Sequence, residues 1–296
     1  MTGLVACSCW SMGSTNARHL DTEPIGKPAA ASATPPKGKA APSPTPTMAS
    51  SGDFIKNLPS GMVRPGDDAG QLLLREYGAV FVARGGATPP TKVVFADAAD
   101  VNAFQNSVKH ATASVGGFTV DLQTAALDAL NAAIGEARRS GLSISPRGAD
   151  SARRSYQQTV TLWASRVNPG LTYWVGKGRI SAADAARIRK LSPFEQVPEI
   201  LRLEENGTYF AKSLDKSIIY SVAPPGTSQH LSMLALDVKE FDNAAVRAVL
   251  AQHGWFQTVT SDLPHFTYLG VPESDLPSLG LKKVEHSGRV FWVPDI

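Results

Sequence analysis

Cysteine is nearly absent from this 296-residue chain: Cys7 and Cys9 are the only two, and the 287 residues after them contain none. A disulfide framework, a thiolate zinc site and a catalytic cysteine are therefore excluded from the body of the protein. A metal bound there has to be held by histidine and carboxylate. There is no apolar run of about 18 residues, so the sequence as written holds no membrane-spanning helix. No Lys/Arg run of the kind that tracks phosphates occurs, and a net charge of +3 with a sequence pI near 8.8 does not mark a nucleic-acid-binding protein. Internal repeats are absent too. What is present is ordinary globular composition, 43% hydrophobic and 19% charged, long enough to bury a core without staples.

The first 52 residues differ from the rest. Residues 27–50 consist of Pro, Ala, Ser, Thr or Gly at 20 of 24 positions. Such a stretch has too little apolar surface to offset its ordering entropy, and it is expected to be a disordered, semi-rigid spacer. Upstream, Leu4-Val5-Ala6-Cys7 resembles the small-residue cleavage signature that precedes a lipidated cysteine. The apolar core of a secretory signal would then lie before the first residue written. On this reading Cys7 carries a membrane tether and the protein works in the cell envelope, in the periplasm. A plain tail without an anchor is the alternative.

Periodic patterning begins near Asp53. A short helix is expected over 72–77, strands over 79–83 and 92–95, and a helix over 97–109. The strongest helical stripe runs from Val120 to Arg139; it is Ala-rich, so a neighbour can approach closely. A strand over 142–145 is followed by the loop Pro146-Arg147-Gly148, then a helix from Asp150 to Val167 stopped by Pro169-Gly170. Short helical pieces follow to 205. Strands are expected over 217–222, 234–238, 255–259, 265–269 and 289–293, with a helix over 243–253. Helices in runs beside clustered, antiparallel-like strands define an α+β class: a small antiparallel sheet flanked by helices. Residues 53–140 are read as an N-terminal elaboration of helices and strands, and 141–296 as the core.

Two histidines and an aspartate carry the chemistry. His230 closes a loop after Pro224-Pro225-Gly226. Asp237 sits between Leu236 and Val238, where a carboxylate is costly to bury without a cationic partner. His265 enters an apolar strand three residues after Asp262. Two imidazoles and a carboxylate form a known catalytic zinc set that leaves a fourth position open, and Asp262 is placed to serve as a general base. His253, before Gly254 at a helix end, suits the helix dipole and is read as structural, as are Trp163, Trp174, Trp255 and Trp292. His110 and His286 are read as surface residues.

The segment from Ser228 to Asp237 resembles the Ser-x-His-x-x-Gly-x-Ala-x-Asp motif of the zinc D-Ala-D-Ala carboxypeptidases and dipeptidases. That family includes vancomycin-resistance peptidases and L-Ala-D-Glu endopeptidases. Ser228, His230, Ala235 and Asp237 match in spacing, and Asp262, Pro264, His265 and Phe266 resemble the Asp-x-Pro-His-Phe form of the endopeptidase branch. The resemblance implies that His230, Asp237 and His265 bind Zn2+ on the sheet, that Asp262 is the base, and that peptidoglycan stem peptides are the substrate. It also implies an active-site arginine after a strand. Arg147 is the first choice; Arg154, in an Arg-Ser-Tyr element like the family's, is the second, and falls inside the expected helix. Ser228 either orients the substrate loop or caps locally. The implied reaction is removal of terminal D-Ala by a D,D-carboxypeptidase, with an endopeptidase as the alternative and a non-catalytic envelope-binding domain as a third. Two departures stand out: Met233 occupies the family's glycine position, and the base is Asp rather than the Glu of the carboxypeptidases.

Overall fold

The computed structural model describes residues 52–296; Cys7, Cys9, His19 and the spacer at 27–50 lie outside them. The N-terminal half opens with helices α1 (Gly52–Lys56) and α2 (Asp68–Tyr77), then a single 3-10 segment over Gly78–Val82. Helix α3 (Ala98–Ser107) is capped by Asp97, whose carboxylate accepts from the Asp100 amide. A hairpin of β1 (His110–Val115) and β2 (Phe118–Gln123) follows, turning through Gly116-Gly117, both at positive φ as a tight two-residue hairpin requires. Helix α4 (Thr124–Arg139) starts where β2 ends.

In the second half, α5 (Tyr156–Gly176), α6 (Ala182–Lys190) and α7 (Pro193–Glu204) form a helical run. The site sheet comes next: β3 (Ala235–Asp237), then α8 (Ala244–Gln252), β4 (Trp255–Phe256) and β5 (His265–Tyr268), with antiparallel order β3-β5-β4. A closing hairpin pairs β6 (Leu281–His286) with β7 (Arg289–Pro294). The architecture is mixed helix with small antiparallel sheets, and the candidate site lies on the three-stranded one.

Several local expectations are corrected. Residues 79–83 and 217–222 are not strands: Gly78–Val82 and Ile218–Tyr220 are 3-10 turns. Short, continuous apolar runs read alike as buried strand or buried turn, because burial on all sides erases the period. Residues 92–95 hold only an isolated bridge from Lys92 to Val63, and 142–145 form no strand: the pairing there is one bridge from Pro146 to Val238 and a bond from the Lys239 amide to the Ser145 carbonyl. The Val120–Arg139 stripe is divided: Val120 and Leu122 belong to β2, and the helix begins at Thr124. Helix α5 starts six residues later than expected, at a capping box of Ser155 and Gln158, and runs straight through Pro169-Gly170. Gly170 is not a stop but a gap. A Cβ there would come within 2.4 Å of the ring of buried Phe210.

The Ala-rich face of α4 does receive a close neighbour. Ala126, Ala133 and Ala137 are fully buried, α8 packs on α4, and His253 bonds Glu136 across them at 2.9 Å. Trp163 and Trp255 are buried in the core. His110 bonds Asp121 across the β1–β2 ladder at 2.7 Å.

Candidate metal centre

Strand register brings two of the three groups together. Asp237 on β3 and His265 on β5 are direct cross-strand partners, so their side chains share a face. His230 joins them from the 3-10 turn Gln229–Ser232 that feeds β3. The converging atoms are His230 Nε2, His265 Nδ1 and Asp237 Oδ1. Their separations are 3.2 Å between the two nitrogens, 3.2 Å from His230 to the oxygen, and 3.3 Å from His265 to the oxygen.

The outer hydrogen bonds decide what those atoms offer. His230 Nδ1 donates to the Ala152 carbonyl at 2.7 Å, and His265 Nε2 donates to Gln229 Oε1 at 2.8 Å. Gln229 is buried, and its amide nitrogen donates to the Tyr77 carbonyl at 2.9 Å, which turns its oxygen towards His265. With both ring protons committed outward, Nε2 of His230 and Nδ1 of His265 present lone pairs to a carboxylate oxygen. Asp237 Oδ1 is buried with no hydrogen-bond partner.

Three acceptors facing one another without a proton among them is an arrangement that a cation resolves. Nitrogen and oxygen ligands about 2.0–2.1 Å from a tetrahedral zinc sit about 3.3 Å apart, and this triangle has that size. The three groups can hold a divalent metal ion.

The electrostatics agree with a neutral-imidazole, ionised-carboxylate set. Burial holds His230 below the ordinary imidazole value, opposed by Asp237 and reinforced by Arg154. For Asp237, burial works against ionisation, and it is positive charge at the two histidine positions that would hold the carboxyl below the usual carboxylate range; neutral imidazoles lack that charge, and a cation bound between them would supply it. Asp237 Oδ2 also accepts from Arg154 Nη2 at 2.7 Å, leaving Oδ1 to face inward.

His230 and His265 line a cleft of about 190 Å³, together with Tyr77, Arg154, Ser228, Asp262 and one face of α5, and Asp237 lies behind them. Asp262 is on the cleft wall, in the turn whose carbonyl accepts from the His265 amide at 3.1 Å. Ser228 lines the cleft, and its hydroxyl makes no local capping bond. Arg154 stands just before α5 rather than within it, in the cleft and bonded to Asp237. Arg147 is brought close only through its backbone: its amide donates to the Asp237 carbonyl at 2.9 Å, while its side chain is exposed and is not among the cleft-lining residues.

Among solved structures, the chain is similar to a zinc complex of a vancomycin-resistance D,D-pentapeptidase, VanY, at 16% identity and a TM-score of 0.32. The match covers 56% of this chain and 81% of that one. No protein-family model and no curated protein matches the chain.

Met233 adopts the left-handed conformation, φ 58° and ψ 30°, and is fully buried. The turn after His230 therefore follows the path a glycine favours, although methionine stands there. Gln229 was not legible as a functional residue. A glutamine beside a histidine carries no signal until the fold shows it bonded to the other histidine.

Proposed function

We propose that this protein is a zinc-dependent peptidase acting on peptidoglycan stem peptides, with removal of a terminal D-Ala as its reaction. One observation carries the metal part: three unprotonated ligand atoms, 3.2–3.3 Å apart, converge around an orphaned buried carboxylate oxygen beside an open cleft. The substrate class rests on the resemblance of the segments 228–237 and 262–266 to the peptidoglycan peptidase motifs.

In this reading His230 Nε2, His265 Nδ1 and Asp237 Oδ1 hold zinc. A zinc ion so held supplies Lewis-acid polarisation of a peptide carbonyl and lowers the pKa of water. The chain's own groups do the rest. Asp262, on the cleft wall, accepts the proton from the attacking water and returns it to the leaving amine. Arg154 keeps Asp237 ionised and turned inward, and its guanidinium borders the cleft where negative charge develops. The Ser228 hydroxyl is available to the substrate backbone. Placement in the cell envelope, with a lipid anchor at Cys7, belongs to the same proposal and rests on the N-terminal sequence alone.

Purified protein should bind one zinc per chain, release D-Ala from a stem pentapeptide, and lose that activity on chelation. Asp262→Asn should keep the zinc and lose about 10²-fold or more in rate. A protein that takes up no zinc would contradict the proposal. Internal scission of cross-linked muropeptides, without D-Ala release, would move the assignment to an endopeptidase.

A further inference from the structure

The metal triad accounts for one end of the cleft. The other end is built by α5 and the 3-10 turn Ile218–Tyr220. Thr159, Leu162 and Arg166 stand three and four residues apart, so they form one stripe of α5 along the cleft wall. Arg166 is half-buried there. Its Nε donates to Ser221 Oγ at 3.0 Å and its Nη1 to Ser165 Oγ at 2.8 Å. Among the described residues it pairs with no carboxylate, whereas the other cleft guanidinium, Arg154, is committed to Asp237. Two serine hydroxyls thus hold a planar cationic fork in place without neutralising it.

We infer that Arg166 is a specificity-determining residue that anchors a carboxylate of the substrate peptide at the far end of the cleft. This rests on the peptidase reading for its choice of ligand. Arginine is suited to the role because its fork matches a carboxylate with two parallel hydrogen bonds, and its charge survives at any working pH. In a peptide that loses one terminal D-Ala the C-terminal carboxylate lies a single residue from the cleaved bond, beside the metal ligands, so the carboxylate at the far end is an acidic side chain; a free C-terminus held there would instead make the cleaved bond internal, as in an endopeptidase.

Binding of dansyl-labelled five-residue peptides to the zinc-loaded protein, read by fluorescence anisotropy, tests this independently of turnover. One peptide keeps a free C-terminus and no acidic side chain, a second has an acidic side chain and an amidated C-terminus, and a third has neither. The wild type should bind one acid-bearing peptide at least about 10-fold more tightly than the neutral one, as a charge-assisted bidentate pair implies. Arg166→Ala should erase that preference, and Arg166→Lys should keep part of it, charge without the fork. Far-UV circular dichroism and zinc content establish that each variant is folded. Which acid-bearing peptide shows the preference identifies the source of the carboxylate. A preference that persists in Arg166→Ala, or a wild type that binds all three peptides alike or none of them, overturns the assignment. If the preference is present and lost as expected but a stem pentapeptide is not cleaved, the anchor stands and the peptidase reading falls.

Discussion

Replacing Gln229 with methionine separates the metal site's framework from its ligands. The side chain is buried and close to methionine in volume, so the exchange removes hydrogen bonds without opening a large cavity. Four bonds are lost: His265 Nε2–H to Oε1, Thr267 Oγ1–H to Oε1, the long Thr258 Oγ1–H to Oε1 contact at 3.4 Å, and the amide donation to the Tyr77 carbonyl. The two threonines still have each other, with Thr258 Oγ1 2.7 Å from Thr267 Oγ1. The imidazole N–H is left without a partner, whereas the Tyr77 carbonyl, at the N-cap of the 3-10 segment Gly78–Val82, keeps that segment's first bond. At about 1–3 kcal/mol for an unsatisfied buried group, the zinc-free protein should lose about 1–3 kcal/mol of stability. The metal should be felt separately. Without the acceptor, His265 is free to place its proton on Nδ1, the atom facing Asp237, and outer-shell losses of this kind typically cost about 10–100-fold in affinity. Competition with a chromophoric zinc chelator measures that affinity; urea denaturation of the zinc-free protein measures the other part. Zinc affinity within twofold of wild type, alongside the expected stability loss, would show that Gln229 braces the core and does not set the histidine's proton, and the tautomer argument would fail.

Two further outcomes follow from residues away from the ligands. Glu204 is buried, and its carboxylate accepts the amides of Phe210 and Ile218 at 2.9 and 2.7 Å and the Ser217 hydroxyl. Burial nonetheless pushes its pKa up, against those bonds. The folded state therefore holds this proton more tightly than the unfolded state. The contribution is fully present below the ordinary carboxylate pKa and is lost as pH rises through the raised one. The stability of Glu204→Gln relative to wild type should accordingly rise with pH across that window in urea titrations; a constant difference would refute the direction. Met233→Gly would relieve the left-handed backbone, about 1–2 kcal/mol, but would delete a fully buried side chain worth about 2–5 kcal/mol. Packing should win, giving a urea midpoint below wild type with zinc affinity unchanged, and a more stable variant would contradict that balance.

The candidate ligands were legible because each is a polar residue in an apolar strand or tight turn, at spacings that a motif preserves. Capped helices were legible for a similar reason: Asp97, Ser181, Ser192 and Asn243 each stand before a helix and accept from its first turn. Other features depended on distant partners. Asp150-Ser151 looks like a helix start, yet the Ser151 carbonyl is taken by the Asp237 amide and the Arg147 amide by the Asp237 carbonyl. That pairing keeps residues 147–154 as a loop along the edge of β3 and delays α5 to Ser155. The same lacing puts Arg154 against Asp237, a neighbour 83 residues away that no local pattern reports. The hairpin of β1 and β2 was hidden because Val120 and Leu122 continue the apolar spacing of α4, although they lie on a strand.

Three buried glutamines show how the N-terminal half bears on the site. Gln105 of α3 donates to the Leu231 carbonyl at 3.1 Å and to the Arg154 carbonyl at 3.0 Å. Gln123, at the end of β2, donates through its side chain to the Ser232 carbonyl at 2.8 Å and through its backbone to the Met233 carbonyl at 3.0 Å. Gln229 reaches the other way, to the Tyr77 carbonyl at the end of α2. The turn that carries His230 is therefore held along its length by three elements that all precede residue 124. Such a turn needs holding: its carbonyls are buried, it has no sheet partner of its own, and Met233 keeps it in a backbone conformation that costs energy. A glutamine satisfies it well, because an amide donates and accepts without bringing a charge beside the metal ligands. Geometry at the candidate metal ligands and packing among residues 53–140 are thus one problem for this chain, and a change at Gln105 or Gln123 reaches His230 through two hydrogen bonds rather than through the sheet.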